Sequence, residues 1–521
     1  MTSILHSHAI GDLLRRSAAR APTKTAIVYG ETRQTFAELD ETVNRTANAI
    51  AALGVRKGDR VAILSHNNHG FVVAFYALAR LGAISVPVNF MLNAEEVGYI
   101  FGHAEIAGVI AEDALVETAA RALAVAGLEN VAVRAFIPEK GTAVPAGWTP
   151  IGEWMRHGDA TPPSTMVADD DPIQMLYTSG TESRPKGAVM TSRNLIAQYN
   201  SCIIDGEMAA DDVEVHALPL FHCAQLHCFL AVDIYVGATS IVLPAPDPAT
   251  VLALIEREKV TKLFCPPTVW IALLRHPDFD RRDLSSLRKG YYGASIMPVE
   301  IIKELGTRLP QVRLFNFYGQ TEMSPMATLL RPEDQFRKLG SAGKAAINVE
   351  TLVVDDDDCP VPMGEVGEIV HRSPHVMKEY WRDPQKTAET FRNGWFHSGD
   401  LGRLDEEGYL YVVDRKKDMI KTGGENVASR EVEETIYQHP AVSEVAVFGV
   451  PHPRWIEAVV AAVVPRAGQE ITPEELAAYC RERLAGYKTP KTIVVVEQLP
   501  KNASGKILKR NLREMYVKLS E

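Results

Sequence analysis

The segment Tyr177-Thr178-Ser179-Gly180-Thr181-Glu182-Ser183-Arg184-Pro185-Lys186-Gly187 carries the densest set of groups able to hold an anion. Small hydroxyl residues and glycines let backbone N–H groups approach phosphate oxygens closely, and a lysine adds a mobile positive charge. The spacing is not that of the Gx4GK[ST] phosphate loop, because Lys186 is followed by Gly187. Two other stretches invite a metal reading. In His222-Cys223-Ala224-Gln225-Leu226-His227-Cys228 the residue types suit zinc. Neighbouring Cys and His cannot easily bind one ion, however, and a tetrahedral site wants a second ligand pair elsewhere. Helical spacing instead puts Ala224 and Cys228 on one face, as small residues lining a cavity. Residues 355–358 are four consecutive aspartates followed by Cys-Pro, the pattern of a solvated hairpin turn.

The elements that must position these groups alternate along the chain. Residues 10–19 and 36–53 place apolar side chains at helical spacing, and TAIVYG and RVAILS are short β-branched runs. FVVAFYALARLGAISVPVN reads as helix, glycine stop and buried strand, and AGVIAED, TSIVLPAP and TKLFCPP follow as further strands. Strands alternating with helices over several hundred residues specify an α/β architecture with a largely parallel sheet. The anion-holding segment follows a strand end, QML, and precedes AVMTSRNLIAQY, which reads as a helix. Near Thr351 the texture becomes β-rich, with TLVVDDDD, GEVGEIVHR and GYLYVVDR joined by Gly, Pro and Asp turns. After Lys416 come an amphipathic helix, strands, a second helix and a basic tail, which together predict a compact α+β domain. The expected division is residues 1–415 and residues 416–521, meeting at the charged stretch DRKKD.

Composition excludes several classes. The 521 residues include 66 acidic and 55 basic side chains, a net charge of −11, which argues against a nucleic-acid partner. Hydrophobic residues at 46% and charged residues at 23% exclude wholesale disorder. From Lys416 onward basic residues nevertheless outnumber acidic ones. Six cysteines without a CxxC pair do not form a disulfide framework and point to a reducing compartment. The first residues lack a signal-peptide pattern, and no apolar stretch reaches the ~18 residues of a membrane span, so a cytoplasmic protein without an integral membrane segment is expected.

Several short segments then fall in an order that resembles the adenylate-forming superfamily: acyl-CoA synthetases, aryl-CoA ligases, luciferases and peptide-synthetase adenylation domains. Taken singly, His222 would be a structural histidine, Gly293-Ala294 a tight turn, Asp400 a turn residue and Lys506 a solvated surface lysine. Their order carries the resemblance. The segment at 177–187 is similar to the superfamily's signature, with Glu182-Ser183 where the usual pattern has Thr-Gly. The resemblance implies ATP binding by Thr178, Ser179, Gly180, Thr181, Lys186, Gly293, Ala294, Ser295, Asn316, Tyr318, Gly319, Thr321, Asp400, Val412, Arg415 and Lys506. Within that set Tyr318 would lie by adenine, Thr321 by phosphate and Asp400 on both ribose hydroxyls. Thr181 and Glu322 would hold Mg²⁺, and Lys506, Thr181, Glu322 and His222 would be the catalytic group. His222 of Pro219-Leu220-Phe221-His222 would border an acid pocket shared with Ala224 and Cys228. Lys417 in Asp414-Arg415-Lys416-Lys417-Asp418 would be the hinge of a mobile C-terminal domain carrying Lys506.

What the resemblance implies for the reaction is attack of a carboxylate on the α-phosphorus of ATP, giving acyl-AMP and pyrophosphate. The acceptor separates the alternatives: CoA, a carrier protein, or a luciferase-like oxidation, with a binding-only protein as the bland reading. Lys421, Gly423 and Gly424 of the segment 421–427 resemble the loop lining a pantetheine tunnel, and with Arg454 would bind CoA. An acid–CoA ligase is therefore expected, with a small carboxylic acid, ATP and CoA as its partners and a homodimer as a compatible assembly. Apolar segments around 222–229, 267–273 and 323–328 lack an obvious Arg or Lys for a second carboxylate. A medium- or long-chain fatty acid is the expected substrate, with aryl or cinnamate-type acids as the alternative.

Overall fold

The computed structural model describes residues 6–178, 185–295, 297–502 and 505–517. Its local elements follow from capping chemistry. Phe36–Ala52 starts where Thr35 accepts from Glu38 N, and Glu38 returns a carboxylate to Thr35 N at 2.8 Å. His69–Leu81 is capped by Asn68, which accepts from Phe71 N at 2.8 Å, and is closed by Gly82 in the left-handed region. Residues 70–81 of that helix are all buried, which places it between layers rather than on the surface.

Two large mixed sheets enclose it. One has eight strands, with Arg60–Leu64 and Gly108–Glu112 near its centre; Ile84–Pro87, Arg60–Leu64, Gly108–Glu112 and Val133–Ile137 run parallel. The other has nine strands, in which Thr25–Tyr29, Thr239–Val242, Val213–His216, Lys262–Phe264, Lys289–Gly293 and Arg313–Gly319 are successive parallel neighbours. The main core, including Phe71, Phe75, Tyr199 and Phe229, lies between them, and Ala94–Ala104 with Val116–Ala126 cover the outer face of the first sheet. The α/β class read from the sequence is the class observed. Parallel strands ending side by side leave their loops at one edge, where sites in such folds form.

One expectation differs. The segment after the anion-holding loop is a strand, Lys186–Thr191, paired antiparallel with Pro172–Thr178, and the helix begins only at Ser192. Thr191 and Asn194 form a capping box there, and the buried Ala188, Val189 and Met190 fit a strand within the sheet. The loop thus closes a hairpin instead of opening a helix.

Beyond residue 350 an antiparallel four-stranded sheet runs in the order Glu350–Val354, Gly367–Arg372, Phe396–Leu404, Leu410–Arg415. The four aspartates make the turn after its first strand; Asp355 accepts from Cys359 N at 2.9 Å and Asp356 pairs with Lys416 at 2.9 Å. A last sheet, built on Val442–His452 and Ile456–Pro465 with Ile420–Thr422, Glu425–Val427 and Thr492–Val495, is covered by Ser429–Tyr437 and Pro473–Arg481. It has its own core of Val447, Val459, Ala461 and Leu476 on one face.

Candidate active site

His222 stands at the end of the loop that leaves Val213–His216, just before a π-helix, Ala224–Leu230. Together with Leu218, Pro219, Ala224, Gln225, Phe264, Pro266 and Ala294 it lines a small, tightly walled pocket. Burial, then the neighbouring Lys506 cation, pushes the His222 pKa down to about 4. The ring is therefore neutral at pH 7. Ala224 N lies 3.2 Å from its Nδ1, so Nδ1 accepts and Nε2 carries the proton, free to donate. Phe264 is stacked on Phe229 at 4.3 Å between centroids, and Phe229 packs on Tyr291 and Phe317, so the pocket's aromatic wall is backed by the core.

Cys228, paired with Ala224 in the sequence reading, is buried against Gln198 and Cys202, with Gln198 Nε2 at 3.3 Å from its sulfur. Val269, Trp270 and Leu273 of the segment 267–273, and Met323 and Met326 of 323–328, are in the main core.

Next to the pocket, Gly293 ends its strand so close to Arg313–Gly319 that a Cβ there would sit 2.3 Å from Phe317 O. The turn then exposes Ala294, at φ 62°, and Ser295. Asn316 donates to Ser341 O at 2.9 Å, which ties the neighbouring strand to the loop before residue 344. Gly319 is required by space as well: a Cβ would meet Pro325 O at 2.0 Å. Tyr318 donates its hydroxyl to Asp400 Oδ2 at 2.7 Å, and Arg415 Nε lies 3.3 Å from Asp400 Oδ1. Burial, then the Asp400 carboxylate, holds the Tyr318 pKa far above its ordinary value, so it remains a donor. Asp400 is only 6% exposed, and its backbone N–H is held by Ser398 Oγ at 3.1 Å. Val412 pairs with Gly402 in the adjoining strand, and its carbonyl accepts from Arg430.

On the other side Thr178 and Lys186 face each other across the hairpin. Lys186 Nζ is 5.8 Å from the Tyr380 ring centre, and Tyr380 donates to Glu322 Oε1 at 2.7 Å. Glu322 lies in the 3₁₀ turn Thr321–Met323, and Thr321 Oγ1 is 3.2 Å from the Cys223 sulfur, beside His222. Ser179, Gly180 and Thr181 lie outside the described residues.

Lys506 reaches this crevice from the last sheet's domain. Its hairpin is closed by Lys506 N donating to Asn502 Oδ1 at 2.8 Å and Gly505 N to Asn502 O at 2.9 Å. A Cβ at Gly505 would lie 2.6 Å from Thr268 Oγ1, so the hairpin sits directly on the start of Pro267–Arg275. The surrounding protein mass, and then Arg415, push the Lys506 pKa down to about 8. Lys417 follows Lys416, whose N–H is held by Gly399 O at 2.9 Å. Lys421, Gly423 and Gly424 form the exposed hairpin between Ile420–Thr422 and Glu425–Val427; Arg454, also exposed, lies 4.6 Å from the Trp455 ring centre.

Tyr380, Phe264 and Pro266 are site residues without a signal in the sequence, whereas Gln225 falls within the segment 222–229 read as pocket-lining. Tyr380 is 58 positions from Glu322; the pairing of Glu379–Tyr380 with Lys186–Thr191, and Met377 N donating to Glu322 O at 2.8 Å, bring them together.

Residues 14–381 match the AMP-binding enzyme family and residues 431–506 its C-terminal domain. The chain is 38% identical to a feruloyl-CoA synthase of Amycolatopsis over 98% of its length and all of that protein's. It is 37% identical to the long-chain-fatty-acid–CoA ligase FadD13 of Mycobacterium tuberculosis, over 97% and 98% of the two chains. Among solved structures, ATP-bound MatB from Rhodopseudomonas palustris superposes with a TM-score of 0.89 at 31% identity, covering 98% of this chain and 100% of that one; the apo form of MatB gives 0.77 at the same identity and coverage. The chain belongs to the AMP-binding enzyme family and thus to the adenylate-forming superfamily. Within it, the chain is an AMP-forming acid–CoA ligase. Among the described residues no helix is long and apolar enough to cross a membrane.

Proposed function

We propose that the ligase activates a compact apolar monocarboxylic acid, an aryl or arylpropenoic acid, as its CoA thioester. The carrying observation is the pocket at His222. Leu218, Pro219, Phe264, Pro266 and Ala294 wall it closely, so a flat ring demands less parting of the walls than a long acyl chain does. Its walls are apolar apart from His222 and Gln225, and Phe264 offers a ring face for stacking.

In this reading His222 Nε2–H donates to the acid's carboxylate, and being neutral it does not trap the nucleophile in a tight ion pair. A carboxylate oxygen attacks the α-phosphorus, the bond to the β-phosphate oxygen breaks, and pyrophosphate leaves. Lys506 places its cation between carboxylate and α-phosphate as negative charge builds on the phosphate oxygens. Asp400, with two carboxylate oxygens and lone pairs beyond those used by Tyr318 and Arg415, accepts from both ribose hydroxyls. Lys186, Thr178 and Thr321 stand where the triphosphate would run. Glu322 fits Mg²⁺, since its carboxylate is a hard oxygen donor oriented at Oε1 by the Tyr380 hydroxyl; with Thr181 it would hold the ion. Bound there, Mg²⁺ would neutralise phosphate charge.

CoA's thiol then attacks the acyl carbonyl carbon and AMP leaves. For this step we place a pivot at Lys417, between residues 1–415 and 416–521, so that Lys506 withdraws and the hairpin of Lys421, Gly423 and Gly424, with Arg454, comes to CoA. The higher superposition on ATP-bound than on apo MatB supports reading the present arrangement as the adenylating one.

Likeness to FadD13 supports a second reading, a long-chain fatty acid. A panel of ferulate, benzoate, octanoate, palmitate and acetate, followed by mass spectrometry of acyl-AMP and acyl-CoA, decides between them. The expected result is a kcat/KM for ferulate or benzoate at least about tenfold above palmitate. Preference for palmitate selects the second reading, preference for acetate refutes an apolar pocket, and acyl-AMP without thioester points to a carrier protein.

A further inference from the structure

The turn that carries His222 is held by two buried amide side chains from different elements. Asn67, 2% exposed and just ahead of His69–Leu81, donates from Nδ2 to Leu218 O and accepts at Oδ1 from Leu220 N, both at 2.7 Å. It therefore does what a neighbouring strand would do for residues 218–220, although no strand runs there. Gln225, 1% exposed, accepts at Oε1 from Leu218 N at 3.3 Å, and its Nε2 donates to His216 Nδ1 at 2.8 Å. Because Nδ1 accepts, the neutral His216 carries its proton on Nε2, which lies 3.2 Å from Asp233 Oδ2. Asp233 in turn pairs with Lys262, whose ammonium is also 3.0 Å from Glu214. All four of these charged or titratable groups are fully buried.

Such a network is expensive to bury; within it the Gln225 amide has a partner at both oxygen and nitrogen, whereas His216 Nε2, Asp233 Oδ2 and both Glu214 oxygens have no hydrogen bond of good geometry. The face of it that reaches the pocket is Gln225, which lines the wall beside His222.

We propose that Asn67 and Gln225 are positioning residues for the acid: they fix the 218–220 turn, and through it the direction in which His222 presents Nε2–H. Burial of His216, Asp233, Lys262 and Glu214 anchors Gln225 from behind. The proposal rests on the reading that His222 borders the acid's carboxylate, and its test separates the two.

Acid-dependent pyrophosphate release is measured for Asn67→Leu, His222→Ala and the double variant, with KM determined separately for acid and for ATP. Asn67→Leu is expected to lower kcat/KM for the acid about tenfold while KM for ATP stays within about twofold, and the double variant to be no worse than His222→Ala alone. Losses that multiply in the double variant, or equal losses toward acid and ATP, overturn the positioning role. If His222→Ala alone has no effect, the reading of His222 fails instead. Gln225→Met removes both the acceptor for Leu218 N and the donor to His216 Nδ1, and Asn67→Asp puts an acceptor in place of the donor to Leu218 O; both keep side-chain volume. They carry the same cycle if circular dichroism shows Asn67→Leu unfolded, and wild-type acid kinetics in both would also overturn the proposal.

Discussion

The two ends of the crevice are held by opposite means. At Asp400 every group is fixed within the body: Tyr318 and Arg415 reach its carboxylate, and Ser398 holds its backbone. At Lys506 the group is brought in by a hairpin from another sheet, docked on Thr268 through a glycine that leaves no room for a side chain. A fixed group serves every step in which the nucleotide is bound. In the proposed mechanism the delivered group serves one step and is withdrawn for the next.

Substitutions separate these two behaviours. Lys506→Ala should lower acyl-AMP formation by about a thousandfold, the scale of losing one preorganised charge at a developing oxyanion. Thioester formation from supplied acyl-AMP should change less than about threefold; equal losses in both halves, by quenched-flow or mass-spectrometric assay, would show that the lysine is not withdrawn. Asp400→Asn should raise KM for ATP by about thirtyfold, since it removes a charged acceptor and leaves Arg415 without its partner. It should impair the second half-reaction as well, because the AMP moiety stays bound; a defect confined to adenylation would erase the contrast.

The smallest effect is a pH limb. With a Lys506 pKa of about 8, the cation is present below that pH and lost above it, so acyl-AMP formation should fall about tenfold per unit beyond pH 8. His222, at about 4, contributes no change between pH 5 and 8. A pH profile of pyrophosphate release from 5 to 9.5 checks both, and a flat profile to 9.5 would mean the lysine's charge is not what adenylation uses.

Much of this arrangement is legible in the chain. Helical spacing over 36–53, the glycine stop at Gly82 and the β-branched runs announce the α/β body, and the ordered segments at 177–187, 316–322, 395–400 and 502–506 announce the crevice. What is not legible depends on pairing between distant strands. Ala188-Val189-Met190 reads as part of a helix until the antiparallel partner at 174–176 is known, and Tyr380 has no chemistry in its own neighbourhood until Glu379–Tyr380 joins the sheet edge. The pocket wall at Phe264 and Pro266 is hidden for the same reason: locally it is only a strand and its end.

The four-aspartate turn acquires a meaning from where its second member points. Asp356, almost fully solvated, holds Lys416, the residue immediately before Lys417. An exposed pair of this kind contributes at most about 1 kcal/mol and is screened over roughly 8 Å at physiological ionic strength. On the proposed pivot at Lys417, the tether would weight one arrangement over the other by this small free energy, and the poise between them would be partly set by dissolved salt.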